Sequence, residues 1–268
     1  MKKNHLFVVV ACLLLGCNRL EKEVAVVLPP YKSQLVVECY LEENVPYRLL
    51  LSSSTEYLAP LSDPTVKDAF VTISHEGQID TLRYDPLFDI FTGKFYNYRS
   101  DKVAVRNESP YQLYIKDGQG REIKGTTRFL PLPDLDTITW RFREPDTAAL
   151  LQINLNDIDE KVENYYRILG NVDSLYNRSD IDYLISDRGF AGKIRPVVSN
   201  YRYKYGDTLN LRIFHIEESY YRFLDSRRDV QRANGNPFAQ PATLKSTVSG
   251  GIGVFTALNY HKRTVILK

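Results

Sequence analysis

The chain has 268 residues, with 43% hydrophobic and 25% charged side chains, 14 Gly, 13 Pro and 3 Cys. That globular composition excludes a disordered chain, a collagen-like fibre and a disulfide scaffold. Its formal charge of +2 comes from 35 basic and 33 acidic residues, too even a balance for a nucleic-acid-binding surface.

The first element is an address. Met1-Lys2-Lys3-Asn4-His5 is a basic head, and the apolar run 6–15 is too short to span a bilayer, so residues 1–16 read as a signal peptide. It closes on Leu14-Leu15-Gly16-Cys17, which resembles the bacterial lipobox, with a small residue before the cut and a thiol to carry the lipid. The alternative is a plain secretory signal with an incidental cysteine. Cys17 is thus the expected lipidation site and 17–32, with Pro29-Pro30, a lipidated tether. No second apolar run is long enough to span, so the expected contact with the membrane is the acyl anchor alone. Cys12 leaves with the signal and Cys17 is acylated, so Cys39 has no partner for an intramolecular disulfide. It sits in a strand-like run without a basic neighbour and reads as a buried structural thiol.

From 33 to 130 the pattern is strand after strand: 35–41, 47–53, 69–73, 79–84, 91–96, 111–115 and 122–128, with turns at Asn44-Val45-Pro46, Glu76-Gly77 and Asp117-Gly118-Gln119-Gly120. Seven short strands at that spacing, in a chain with 19 Tyr against 1 Trp, predict an N-terminal immunoglobulin-like or transthyretin-like sandwich. Pro131 and Pro133 stiffen a connector, where a domain boundary is expected. The second domain, 134–268, is also β-rich, with strands over 137–143, 150–155, 164–170, 208–216, 251–258 and 264–267. The stretch 173–205 is expected to be irregular, and loops of that length are commonly functional. One amphipathic helix is expected over about 217–233, ended by Asn234-Gly235, with Arg222, Arg227, Arg228 and Arg232 on a solvated face neutralised by Glu217, Glu218, Asp225 and Asp229. The fold class is therefore mainly β: two β-sandwich-like domains with one helix in the second.

Chemistry is sparse. His75, His215 and His261 lack partners at metal-ligand spacing, so no metal and no cofactor are expected. There is no GxSxG elbow. Acidic pairs such as Asp157 with Asp159, or Asp180 with Asp182, do not by themselves make a glycosidase, which needs two carboxyls facing each other across a sugar. The acidic run from Asp173 to Asp187 lacks the spacing of a calcium loop. Ser249-Gly250-Gly251-Ile252-Gly253 lacks the Lys-Ser/Thr of a phosphate loop and reads as a tight turn or bulge at the mouth of a strand. What remains are tyrosines. Tyr201, Tyr203 and Tyr205 would share one side of a strand, and with Tyr176, Tyr183, Asp187 and Arg188 they form the candidate binding set. Exposed, such rings offer a stacking face; buried, they are core.

Several segments resemble a family of Bacteroidetes outer-membrane lipoproteins known as domain of unknown function 4249. They include Ser33-Gln34-Leu35-Val36-Val37-Glu38, Val66-Lys67-Asp68-Ala69-Phe70-Val71-Thr72-Ile73, Asn164-Tyr165-Tyr166-Arg167 and Ser186-Asp187-Arg188-Gly189-Phe190-Ala191-Gly192-Lys193. Tyr205-Gly206-Asp207-Thr208-Leu209 and the piece from Asn236-Pro237-Phe238 to Gly250-Gly251-Ile252-Gly253-Val254-Phe255 complete the set. Ala191 departs from the acidic residue expected in many relatives. The resemblance implies a lipid-anchored outer-membrane protein, with Glu21 and Glu23 weakly resembling the signal for the cell surface. It implies no catalytic residues, and association with a TonB-dependent β-barrel transporter as an accessory or ligand-binding subunit. A surface hydrolase of glycan or peptide, or a purely structural envelope protein, are the alternatives.

Overall fold

The computed structural model describes residues 31–56, 60, 62–90, 93–144, 148–172, 179–190, 192, 196–234 and 239–268. Contacts divide the chain into residues 1–32 and Ser33–Lys268, and the second unit carries every element named below.

Alternation builds the first sandwich. In β1 (Leu35–Glu42), Leu35, Val37, Cys39 and Leu41 are buried and the residues between them are not. Burial pushes the Cys39 thiol far above its usual range, so it stays protonated and inert. β2 (Pro46–Ser53) returns antiparallel beside β1 after Asn44, whose φ of 60° Asn tolerates. β3 (Phe70–His75) and β4 (Gln78–Asp89) meet across Glu76-Gly77, both at positive φ. β4 runs beyond its expected end at 84. Its first half pairs with β3 and its second with β5 (Lys94–Val103), through an irregularity between Tyr84 and Leu87. It therefore passes from one layer to the other. β6 (Tyr111–Lys116) and β7 (Glu122–Thr127) extend the β3 layer.

The core between the layers sets Val37, Leu49 and Leu51 with Val71, Ile73, Leu113, Ile115 and Ile123. Tyr111 locks one corner. Its buried hydroxyl donates to Val105 O at 2.8 Å and accepts the Val105 N–H at 2.9 Å, the upstream backbone tie seen at corners of immunoglobulin-like sandwiches.

Beyond its irregularity the β4–β5 hairpin lies over the outer face of β1 and β2. Arg48 Nη1 donates to Asp89 Oδ2 at 2.9 Å and its guanidinium sits 4.5 Å from the Tyr96 ring centre, while Lys94 Nζ lies 4.3 Å from that of Tyr40. The paired Phe88 and Phe95 are exposed.

The second half adds β8 (Asp134–Arg143), β9 (Ala148–Asn156), β10 (Tyr165–Val172), β11 (Ile181–Ser186), β12 (Val197–Val198) and β13 (Thr208–Ile216). Here 173–205 is not irregular throughout, because it holds β11 and β12. Asp182 hides the strand pattern in the sequence, yet its charge is met by Arg167 of β10. A three-stranded sheet, β12-β9-β8, packs on β11-β10-β13 through Leu151, Ile153, Tyr166, Ile168, Leu211 and Ile213. Helix α1 (Glu218–Asn234) begins and ends one residue later than expected and buries Tyr220, Phe223 and Leu224 against Tyr165, Phe214 and Val254. Arg228 does not belong to a solvated face: its Nη2 donates to Asp182 O at 2.7 Å.

β14 (Val248–Ser249) and β15 (Ile252–Ile266) close the unit. The strands expected over 251–258 and 264–267 are one continuous β15. It pairs parallel with β1 through 252–258 and antiparallel with β13 through 259–266. The glycines before and within it stand where no side chain fits. A Cβ on Gly250 would lie 2.0 Å from Glu122 O, and one on Gly253, at φ 131°, 1.9 Å from Val37 O.

The connector at 130–133 separates two cores but not two independent chains. Val248, Phe255 and Ala257 complete the first core from beyond it. Its carbonyls are held by β13 and β15: Asn259 Nδ2 donates to Leu130 O at 2.8 Å, His215 Nδ1 to Pro131 O at 3.0 Å and His261 Nε2 to Pro133 O at 3.0 Å. Carbonyls only accept, so each of those ring nitrogens carries the proton.

Candidate binding site

The second sandwich presents an aromatic and arginine-bearing surface on its three-stranded sheet. In β8, Ile138, Trp140 and Phe142 stand opposite the inward residues Ile153, Leu151 and Ala149 of β9, so Arg141 and Arg143 project from the outer face. There they flank Tyr201. Arg141 Nη2 donates to Tyr201 Oη at 3.1 Å, and the Arg143 guanidinium lies 4.9 Å from the centre of its ring. At an exposed position a cation over a ring contributes about 0.5–1 kcal/mol, enough to fix the ring without hiding it. On the other face of β8 Tyr205, 67% exposed, rests 5.7 Å from Phe142, and the half-exposed Trp140 donates Nε1–H to Lys268 O at 3.1 Å. Along the outer face runs a polar ladder in which Gln152 Nε2 donates to Asn154 Oδ1 at 2.9 Å and Asn154 Nδ2 to Thr137 Oγ1 at 2.8 Å. Flat rings beside guanidinium forks suit stacking of a ring or planar group whose carboxylate or hydroxyl oxygens accept hydrogen bonds.

The tyrosines expected to share one side do not. Tyr201–Tyr205 is no regular strand, and only Tyr203 bridges to β9, where the Ala149 N–H donates to its carbonyl at 2.6 Å. Tyr203 is therefore core, and burial pushes its hydroxyl up to about 12. Tyr183, on β11, is half-buried against the same core. Asp187 is buried as well: its Oδ1 accepts the Asn164 N–H at 2.8 Å and its carbonyl the Phe190 N–H at 2.9 Å, tying the end of β11 to the β9–β10 connector. Arg188 beside it is exposed. Tyr176 and Cys17 lie outside the described residues. Of the candidate set the structure brings Tyr201 to Arg141 and Arg143 on the outer face of β8 and Tyr205 to Phe142 on its other face, so the two rings are not brought together. The run Thr139-Trp140-Arg141-Phe142-Arg143, alternating ring and cation, was the available signal for these β8 residues.

Other charged groups are structural. Burial opposes charge on Asp182, but Arg167, donating from Nε and Nη2 at 3.0 and 2.9 Å, outweighs it and holds the carboxyl below its usual range. Arg167 Nη1 also donates to Tyr220 Oη at 2.9 Å, which fastens α1 to the sheet. A cavity of about 150 Å³ beside β2, β4 and β5 is lined by Arg48, Arg83 and Arg99, each already paired with an aspartate: Asp89, Asp101 and Asp85. Among the described residues no three His, Cys, Asp or Glu side chains are placed to hold a metal ion, and no helix is long and apolar enough to cross a membrane.

Among the described residues a mainly β unit with two β-sheet cores and a third apolar cluster under its one helix is what the fold defines. Residues 21–264 match the family described as Domain of unknown function (DUF4249), and the chain belongs to that family. No curated protein matches it. Among solved structures it is similar to the FN1–FN3 domains of chicken CNTN1, at 10% identity and a TM-score of 0.28. That match covers 67% of this chain and 59% of the other.

Proposed function

We propose that the chain is a non-catalytic cell-envelope lipoprotein, held at the outer membrane by an acyl anchor on Cys17 and displayed at the cell surface. There it acts as an accessory or ligand-binding subunit of a TonB-dependent transporter. The observation that carries the binding role is the outer face of the three-stranded sheet, where the exposed Arg141 and Arg143 flank Tyr201. The anchor rests on Leu14-Leu15-Gly16-Cys17, and the transporter on the resemblance to envelope lipoproteins. The mechanism is non-covalent capture. Lipid fixes the base, and Tyr201 takes up a planar group while the guanidiniums of Arg141 and Arg143 orient its oxygens.

A tagged full chain, extracted from native outer membrane in mild detergent, tests this. Stoichiometric recovery of a TonB-dependent barrel is expected. Recovery of the chain alone, from membranes in which other envelope complexes stay intact, would overturn the accessory role. In parallel, Cys17→Ser is expected to move the chain from the membrane to the soluble fraction, and retention in the membrane would overturn the anchor.

A further inference from the structure

Arg227, like Arg228, does not belong to a solvated face of α1. It takes the next place in the helical stripe that begins with the buried Tyr220, Phe223 and Leu224. Helical side chains lean toward the N-terminus, so its guanidinium turns back toward Tyr220. Its Nε is buried without a hydrogen-bond partner. The nearby carboxylate is taken by two other arginines. Asp182 Oδ1 accepts Arg167 Nε at 3.0 Å and Arg228 Nη2 at 3.3 Å, and its Oδ2 accepts Arg167 Nη2 at 2.9 Å. Arg227 acts electrostatically on Asp182 and on the hydroxyls of Tyr220 and Tyr40, yet makes no ion pair among the described residues.

At Tyr40 this cation meets a second one. Cys39 and Leu41 enter the first core, so Tyr40 between them faces the other way, edge-on to Tyr220 with ring centres 6.2 Å apart. Lys94 Nζ lies over the Tyr40 ring, 4.3 Å from its centre. Among the described residues no carboxylate stands within ion-pair reach of that ammonium. Glu38 and Glu42 attract it from farther off, and Glu42 Oε2 already accepts the Tyr260 hydroxyl at 2.7 Å. Burial keeps the Tyr40 hydroxyl protonated, and among the described residues nothing accepts its hydrogen bond. An ammonium, a hydroxyl and a guanidinium thus converge from β5, β1 and α1 as donors without an acceptor.

We propose that Lys94, Tyr40 and Arg227 bind the phosphate of a phosphate monoester. Number and charge select that group. It presents three acceptor oxygens and a charge of about −1.5 to −2 at pH 7, against three donors and two unpaired cations. A carboxylate has two oxygens in one plane, which a single arginine fork satisfies. Donors arriving from three elements suit a tetrahedral group, with Lys94 as point charge and Arg227 as fork. The site shares no residue with the surface around Tyr201, and either can fail without the other.

Calorimetric titration of the full chain with phenyl phosphate, and with benzoate as its carboxylate counterpart, tests it. Phenyl phosphate is expected to bind at least about tenfold tighter than benzoate. Lys94→Gln and Arg227→Met are each expected to weaken that binding at least about tenfold, and Tyr40→Phe, which keeps the ring beneath Lys94, about tenfold. Folding is read separately. Without phosphate, Arg227→Met is expected to melt no lower than the wild type, since it removes an unpaired cation, while the rise in Tm that phenyl phosphate gives the wild type disappears. Phosphatidate in mixed micelles separates the two sources of a monoester: tighter binding than phenyl phosphate assigns a lipid headgroup, weaker binding a soluble ester, and both support the site. Binding of neither phosphate probe at millimolar concentration, benzoate bound as tightly, variants that bind like the wild type, or an Arg227→Met chain destabilised without ligand would each overturn the proposal.

Discussion

Tyr111 and His215 show how single residues carry disproportionate weight in this chain. The Tyr111 hydroxyl satisfies both backbone groups of Val105 inside the first sandwich, so Tyr111→Phe leaves an N–H and a C=O without their partner. A loss of about 2 kcal/mol is expected in urea unfolding at neutral pH, with little change in the folded structure. His215 is buried against Tyr166 and the connector, and burial, opposed by the Pro131 carbonyl and Asp187, lowers its pKa below 6.5. The unfolded chain then binds a proton before the folded one does. The stabilisation is complete above the unfolded value and is lost as pH falls from there through the folded value. In His215→Gln the decline of stability between about pH 7 and pH 5 is expected to be shallower than in the parent; an unchanged slope in pH-dependent urea titrations would refute this assignment. At this scale the sequence was legible where a residue's surroundings are local. Cys39 reads as buried from its own strand. Tyr201, Tyr203 and Tyr205 do not separate in sequence, because one reaches β9, one reaches arginines of β8 and one reaches Phe142, contacts about 60 residues away that no spacing rule anticipates.

Elements were legible when their pattern was set by one sheet. β1, β2, β6, β13 and α1 lie within two residues of their expected bounds, since each has one clearly apolar side. β11 was hidden because its polar residues are neutralised across the sheet, and β15 was split because its character changes where it leaves one core for the other. Its entry depends on Gly253. Gly253→Ala forces a Cβ onto the Val37 carbonyl at a φ that disfavours any side chain, so β1 and β15 must separate locally. A loss above about 3 kcal/mol, or failure to fold, is expected by thermal unfolding, in contrast to about 0.5 kcal/mol or less for an exposed strand position such as Thr139→Ala.

The whole molecule departs most from what spacing implies. Two sandwiches joined at 131–133 suggest two separable domains, whereas Val248, Phe255 and Ala257 supply part of the first core from the far end of the chain. A fragment of residues 33–130 is accordingly expected to lack a cooperative thermal transition, and to gain one when residues 239–268 are supplied in trans; a cooperatively melting fragment alone would contradict the shared core. Parallel pairing of β1 with β15 also has a temporal consequence. Val36 and Ile252 are neighbours separated by more than two hundred residues, so the first core has no complete wall until nearly all of the described chain has left the ribosome. Long-range closure of that kind is slow, in the range of milliseconds to seconds for β-rich chains. Until β15 arrives the first core stays unlatched, so its apolar face is open to any binder that reaches the chain before the last strand does.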